Sequence, residues 1–339
     1  MKQYDPTEIS PYLSKHKVID NKGRYLHWDK FQWHVNKSMN PELAWIATKF
    51  SRMGIARRLD KLTAYKGHER FSYCIPDSLS AQLHYIDKVT GGGHNVNDST
   101  FISSQGKERY LVKSLMMEEA ITSSQLEGAS TTRKVAKEML ETARKPADKS
   151  EQMIFNNYRL MKKAVERKDE ALSLELILEL HEVATRNAID NDAVPGEFRT
   201  DDNITVTNLY NETAHEPPTH TTIRARLILL CEFANECSDG INSGLFIHPL
   251  IKAIILHFMI GFIHPFGDGN GRTARALFYW FMLRSGYWLF EYVSISKLIQ
   301  EKRNDYDTAY VYTETDDFDL TYFLYNQVEV VRKAIDALH

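Results

Sequence analysis

Cysteine is scarce in this chain: Cys74, Cys231 and Cys237 are the three in 339 residues, and none form a C-x-x-C pair. That excludes a disulfide framework and a cysteine zinc site, and leaves ordinary buried or half-buried thiols. Long apolar runs are also missing. The longest, Ala253 to Ile263, is broken by His257 and is too short to span a bilayer, and the opening Met1-Lys2-Gln3-Tyr4-Asp5-Pro6 lacks the apolar core of a signal peptide. There is no large excess of either charge. With 42 Lys and Arg against 45 Asp and Glu, net −3, neither nucleic acid nor a membrane is expected as a bulk partner, and a cytoplasmic location is expected. A hydrophobic content of 43% with 26% charged residues suits a soluble globular chain, long enough for one large domain plus a smaller one, or two of ordinary size.

What the chain does have is one dense polar stretch between two apolar segments, His264-Pro265-Phe266-Gly267-Asp268-Gly269-Asn270-Gly271-Arg272-Thr273-Ala274-Arg275. Pro249 to Ile263 before it and Ala274, Leu277, Phe278, Trp280, Phe281 and Leu283 after it read as buried helices, so the stretch reads as the loop joining them. Gly267, Gly269 and Gly271 let the backbone turn several N–H groups toward one point, and the helix beginning near Gly271 adds its own unpaired N–H groups, a cradle for phosphate. Arg272 and Arg275 lie three apart and can share that anion. Asp268 would be repelled there unless a Mg²⁺ ion sat with the phosphate oxygens. His264 can take a proton from a hydroxyl near neutral pH. Together these describe phosphoryl or nucleotidyl transfer.

The remainder reads as helices with a few breaks. Trp28, Phe31 and Trp33 are expected to pack on the main body. One helix is predicted from Pro41 to about Tyr65, with Leu43, Ile46, Phe50, Met53 and Leu59 as its apolar stripe and Lys49, Arg52, Arg57, Arg58 and Lys61 as a solvated basic face. Asp77-Ser78 caps a helix carrying Leu79, Leu83 and Ile86, Gly91-Gly92-Gly93 stops it, and the loop through Ser103 is the best candidate boundary. The next helix, starting its apolar face at Leu111, Leu115 and Met116, runs into Ser123-Ser124-Gln125-Leu126-Glu127-Gly128. Ser123 and Glu127 share a face, and Gly128 ends the helix with a carboxylate presented there. Helices are predicted at about 150–167 and 173–187, then a turn at Pro195-Gly196-Glu197-Phe198-Arg199 in which Arg199 plays a structural part. Alternation over Asn203-Ile204-Thr205-Val206-Thr207 predicts an exposed hairpin. Further helices carry Ile223, Leu227, Leu230 and Phe233, then His257 as a packed residue, a stop at Gly286, and a final core helix over about 319–338.

The central stretch fills every specified position of H-P-F-x-[D/E]-G-N-G-R-x-x-R, the signature of the Fic (Fido) family, and the resemblance extends over about 105–315. It implies an all-α fold with a small β-hairpin flap that transfers AMP from Mg²⁺-ATP to a protein hydroxyl. Carried over, His264 is the base, Asp268 the Mg²⁺ ligand, and Gly267, Gly269, Asn270, Gly271, Arg272 and Arg275 bind the nucleotide. Ser123, Glu127 and Gly128 fit the family's inhibitory pattern [S/T]-x-x-x-E-[G/N], which implies that Glu127 occupies Arg275 and blocks the ATP γ-phosphate. Ile204, Thr205 and Val206 would belong to the flap that positions the target, with a plain surface hairpin as the alternative. Tyr306 and Tyr310 are candidates to touch the nucleotide.

The implied division is an N-terminal helical region at 1–100, an inhibitory helix segment at 101–145, the catalytic core at 146–315 and a C-terminal helix at 316–339. Expected partners are a protein offering a Ser, Thr or Tyr hydroxyl, the chain itself through automodification, and a second copy as a homodimer. Two rivals stand beside AMP transfer. One is removal of AMP, or use of another nucleotide, at the same site. The other is a nucleotide-responsive binding module without turnover, against which the intact His264 argues.

Overall fold

The computed structural model describes residues 5–65, 69–90, 105–189, 191–207 and 213–338, with only the backbone over 105–115. Helices α1 (Pro6–Leu13), α2 (Trp28–Phe31) and α3 (Pro41–Met53) lead into a hairpin of β1 (Arg57–Thr63) antiparallel to β2 (Arg70–Tyr73). Then come α4 (Asp77–Thr90), α5 (Gln105–Leu126), α6 (Arg133–Thr142), α7 (Lys149–Glu166) and α8 (Leu174–Thr185). A second short hairpin, β3 (Val206–Thr207) with β4 (Thr213–His215), precedes α9 (Ile223–Asn235), α10 (Pro249–Ile263), α11 (Asn270–Arg284), α12 (Ile295–Glu301), α13 (Arg303–Thr315) and α14 (Thr321–Asp336). The fold is mainly helical with a small antiparallel hairpin at β3–β4, as the sequence predicts, and a second at β1–β2 that it does not. The expected stop at Gly91-Gly92-Gly93, the loop through Ser103 and the side chains of Leu111 and Leu115 lie outside the described residues.

Helices α10 and α11 are the centre. Pro249 starts α10 at a position where its missing N–H costs nothing, His248 caps it by accepting from Leu250 N, and every residue from Leu250 to Ile263 except Gly261 is buried. A helix apolar on all sides is stable only inside a shell of others. Here α9 and α14 pack on α10, while α7 and α8 pack on α11. The loop between two such helices cannot drift, so the polar stretch is held on a rigid frame. Burying side chains such as Phe258, Phe262 and Phe278, all without exposure, contributes about 2–3 kcal/mol each.

Three details of the N-terminal part depart from the pattern in the sequence. The helix predicted to reach Tyr65 ends at Met53, and Arg57–Thr63 is a strand. Leu59 and Leu62, three apart, look helical, but a register shift between Arg58 and Thr63 puts both on the buried side of β1. Phe50 and Met53, expected in the apolar stripe, are exposed, as is Trp33, which therefore does not pack on the body; Phe31 does. Arg52 is the reverse case. Expected on a solvated face, it is 4% exposed and donates to Val18 O (3.2 Å), Leu26 O (2.8 Å) and Tyr322 Oη (2.8 Å), its guanidinium 3.6 Å from the Tyr25 ring centroid. It ties the first 30 residues to α14.

Replacing it with an apolar stem leaves those acceptors unpaired. Arg52→Met is expected to lower stability by about 3 kcal/mol, read from urea denaturation. An unchanged midpoint would show that Arg52 is not the tie.

Candidate active site

Helix α10 ends where the sequence forces it to. Pro265 disfavours helical geometry in the residue before it, and His264 takes a left-handed conformation, φ 48° and ψ 59°. A non-glycine residue held there marks strain that surrounding bonds must sustain. His264 N donates to Ile260 O (3.0 Å), and ring Nδ1 lies 3.2 Å from Gly261 O. A carbonyl only accepts, so Nδ1 carries the proton and Nε2 is left with a lone pair. Burial pushes the ring's pKa down to about 4, the Gly261 carbonyl opposing and His215 and Arg199 adding to it. The imidazole is neutral throughout the physiological range. Arg199, as expected, is structural: its N–H donates to Pro265 O and its Nε to His264 O, both at 2.9 Å.

Beyond the base, the loop is packed from below. Phe266 is fully buried and lies face to face on His181, centroids 3.6 Å apart and planes within 2°. His181 Nδ1 accepts from Gly196 N (3.0 Å) and Nε2 donates to Asp268 O (2.8 Å); burial lowers its pKa to about 4, keeping it neutral in that arrangement. Nothing local in the sequence marks this histidine, whose partners lie 15 and 87 residues away. Gly269, at φ 79°, has no room for a side chain: a Cβ would lie 2.5 Å from Thr185 Cγ2. Asn270, expected among the nucleotide contacts, spends its amide on the loop itself, accepting from Phe266 N (3.0 Å) and donating to Phe266 O (2.8 Å).

The two arginines converge on carboxylates. Arg272, without exposure, donates to Ala184 O (2.8 Å) and to Asp268 Oδ1 (3.1 Å). Its Nε is buried with no hydrogen-bond partner among the described residues. Arg275 donates from Nε to Ser123 Oγ (2.8 Å) and from Nη2 to Ser123 O (3.1 Å) and Glu127 Oε1 (2.7 Å). Helix α5 stops at Leu126, and Gly128, at φ 94°, turns the chain so that Glu127 projects into the site. Burial disfavours the Glu127 carboxylate's charge, but Arg275, Arg272 and Arg303 together hold its pKa below the ordinary range. A Cβ built on Gly271 would lie 2.1 Å from Glu127 Oε1. The carboxylate therefore rests against the first turn of α11, where the helix dipole favours an anion. Ser123, Glu127, Arg272, Arg275 and Gly271 thus come together, with Glu127 on Arg275 as the family resemblance implies.

A cavity of about 330 Å³ opens beside them, lined by Glu127, Gly128, Lys149, Ser150, Asn191 and Asp268. Among the described residues no cluster of three or more His, Cys, Asp or Glu is placed to hold a metal unaided. Asp268 is one partly exposed carboxylate at the cradle, the donor set for an ion completed by phosphate oxygens and water. The predicted hairpin is present: Val206 pairs with His215 and Thr207 with Thr213, with Ile204 and Thr205 leading into it. Residues 208–212, its tip, lie outside the described residues. His257 is buried, 3.1 Å from Tyr306 Oη through Nε2. Tyr306 and Tyr310 line the same interior, Tyr310 stacked on Phe258 at 4.7 Å.

Residues 171–282, which contain the whole 264–275 loop, match the model of the Fic/DOC family. The chain carries a Fic/DOC domain. Part of the chain is similar to the protein adenylyltransferase fic-1 of Caenorhabditis elegans, 32% identical over 121 residues, 36% of this chain and 21% of that protein. Another relative is the protein adenylyltransferase Fic of Drosophila virilis, 33% identical over 116 residues, 34% of this chain and 21% of that one. The matched stretch is thus about a fifth of these relatives' length. The fold extends further. A Fic family protein from Desulfovibrio desulfuricans superposes with a TM-score of 0.62 at 20% identity, covering 76% of this chain and 73% of that one. Fic-1 from C. elegans gives 0.59 at 17% identity, covering 92% and 79%. Helix α5 stands ahead of the matched residues and delivers Glu127 to Arg275 among them.

Proposed function

We propose that the protein is a protein adenylyltransferase held off by its own Glu127. The observation that carries this reading is the Glu127 carboxylate, 2.7 Å from Arg275 and against the start of α11, where a triphosphate would place its terminal anions. In the proposed reaction ATP enters with its phosphates along Gly267 to Gly271, and Arg272 and Arg275 turn toward the β- and γ-phosphates. His264 Nε2 accepts the proton of a Ser, Thr or Tyr hydroxyl, the oxygen attacks the α-phosphorus, and pyrophosphate leaves. Asp268 would be the residue that holds Mg²⁺, which when bound would supply charge neutralisation at the phosphates. Most of the rate enhancement comes from placing hydroxyl, base and phosphorus in line and from charge already aimed at the leaving group. The flap at Ile204 to Val206 would align an extended target segment by strand pairing. The residue division 1–100, 101–145, 146–315 and 316–339, automodification and a homodimer belong to the same proposal.

Peptide mass spectrometry of the Glu127→Gly protein incubated with ATP, Mg²⁺ and candidate substrates, itself included, tests the reaction. An AMP adduct on a hydroxyl side chain is the expected product. A phosphate adduct, or loss of AMP from a previously modified protein, would replace this reading with another transfer or with AMP removal.

The pH dependence follows from His264. Its pKa, lowered to about 4 from an ordinary 6.5, leaves the ring neutral at any pH above about 5, and removing Glu127 takes away one of the charges that raise it. The kcat/KM profile of the Glu127→Gly protein is expected to show no limb near pH 6.5 and to fall on the acid side only below about 5. An inflection near 6.5 that disappears with His264→Ala would contradict the neutral base.

A further inference from the structure

The carbonyls of the turn that carries His264 are taken up by residues bracketing the flap. Ile260 O accepts from His264 N and Gly261 O faces His264 Nδ1, so the base uses the first two itself. The next are held from outside: Phe262 O lies 2.7 Å from His215 Nε2, His264 O accepts from Arg199 Nε, and Pro265 O accepts from Arg199 N. Arg199 stands ahead of β3, and His215 is the last residue of β4. Arg199 also donates to Pro218 O, just past β4, and to Asp202 Oδ1 (2.7 Å). The flap and the base are therefore built on one frame.

His215 is itself fixed from behind. It is 7% exposed, and its Nδ1 lies 2.9 Å from Glu314 Oε2 on α13. Tyr65 Oη, at the end of the first hairpin, donates to the same carboxylate oxygen (2.6 Å). Nε2 faces a carbonyl, which only accepts, so this head of the ring donates to the base-bearing turn; the other head, Nδ1, faces Glu314 Oε2 and the Tyr65 hydroxyl, 3.3 Å away. A cavity of about 560 Å³ runs along β4, lined among others by Tyr65, Thr213, His215, Glu216 and Glu314. A segment seated there would lie against Tyr65, His215 and Glu314.

We propose that His215, braced by Glu314 and Tyr65, is a positioning residue that fixes His264 relative to the flap, so that a target docked on the flap meets a base already aimed. The proposal rests on the adenylyl-transfer reading for its kinetic arm. It acts through hydrogen-bond geometry alone, and His215 touches neither nucleotide nor target hydroxyl.

Two substitutions separate the heads of the ring. Gln at 215 carries an amide that reaches as far as Nε2 and can keep the bond to Phe262 O; Asn reaches only as far as Nδ1 and cannot. In the Glu127→Gly background, His215→Asn is expected to lower kcat by about tenfold or more with KM for ATP unchanged, while His215→Gln keeps most of the rate. Hydrogen exchange gives a readout without turnover: the His264 amide and the 213–216 segment are expected to exchange faster in His215→Asn than in the parent or His215→Gln. If His215→Asn does not fold, Glu314→Gln carries the comparison through the weakened second head. Equal kcat in the parent and both variants, with unchanged exchange, would overturn the proposal and leave adenylyl transfer standing. A parent without transfer would instead remove the reaction, and the exchange comparison would still decide the clamp.

Discussion

Glu127→Gly is expected to raise the rate of AMP transfer at limiting ATP by about a hundredfold. The figure comes from the contact that nucleotide must break. Glu127 Oε1 is 2.7 Å from Arg275 Nη2, with the arginine side chain 4% exposed and the glutamate 27%. A hydrogen-bonded charge pair so removed from water is worth about 2–5 kcal/mol to break, and the lower half of that range is about two powers of ten. The same substitution is expected to reduce stability, because Arg275 keeps only its bonds to Ser123 Oγ and Ser123 O and its charge stays buried. A more active protein with a lower melting temperature is therefore the signature, and scanning calorimetry beside the rate assay reads both. A gain in stability without a gain in rate would mean that the carboxylate does not stand in the nucleotide's way.

In that released background, His264→Ala is expected to cut transfer by about a thousandfold while nucleotide affinity changes little. Neither His181 nor His257 can take its place. His181 donates Nε2–H to the Asp268 carbonyl and accepts at Nδ1 from Gly196, so neither nitrogen is available, and His257 is fully buried under the Tyr306 hydroxyl. Fluorescent-nucleotide titration alongside single-turnover transfer separates binding from chemistry. Loss of both together would place His264 in nucleotide binding and not in proton transfer.

The parts of this arrangement that the sequence made legible are those whose signal is local. Alternating glycines, two arginines three apart and an apolar segment on either side specify the 264–275 loop within one short window. Likewise Ser123, Glu127 and Gly128 specify a helix end that presents a carboxylate. That Glu127 reaches Arg275, 148 residues on, came from the family pattern and not from periodicity. What could not be read depends on distant partners. Arg52 looks like a surface cation because the groups that bury it come from residues 18, 26 and 322. The strand at Arg57–Thr63 shows no alternation because a register shift interrupts it, and its neighbour contributes only four residues. Helix α6 went unpredicted because its buried side is three residues, Ala136, Met139 and Leu140, in an otherwise charged run. His215 carries no local signal at all, and its importance rests on oxygens at positions 262 and 314.

The central claim, AMP transfer restrained by Glu127, is tested most directly by incorporation of α-labelled ATP into protein, measured in parallel for the natural sequence, Glu127→Gly, and Glu127→Gly with His264→Ala. The account predicts faint label in the first, strong label in the second and a return to background in the third. Equal label in the first two, or label in the second that survives loss of His264, would contradict it.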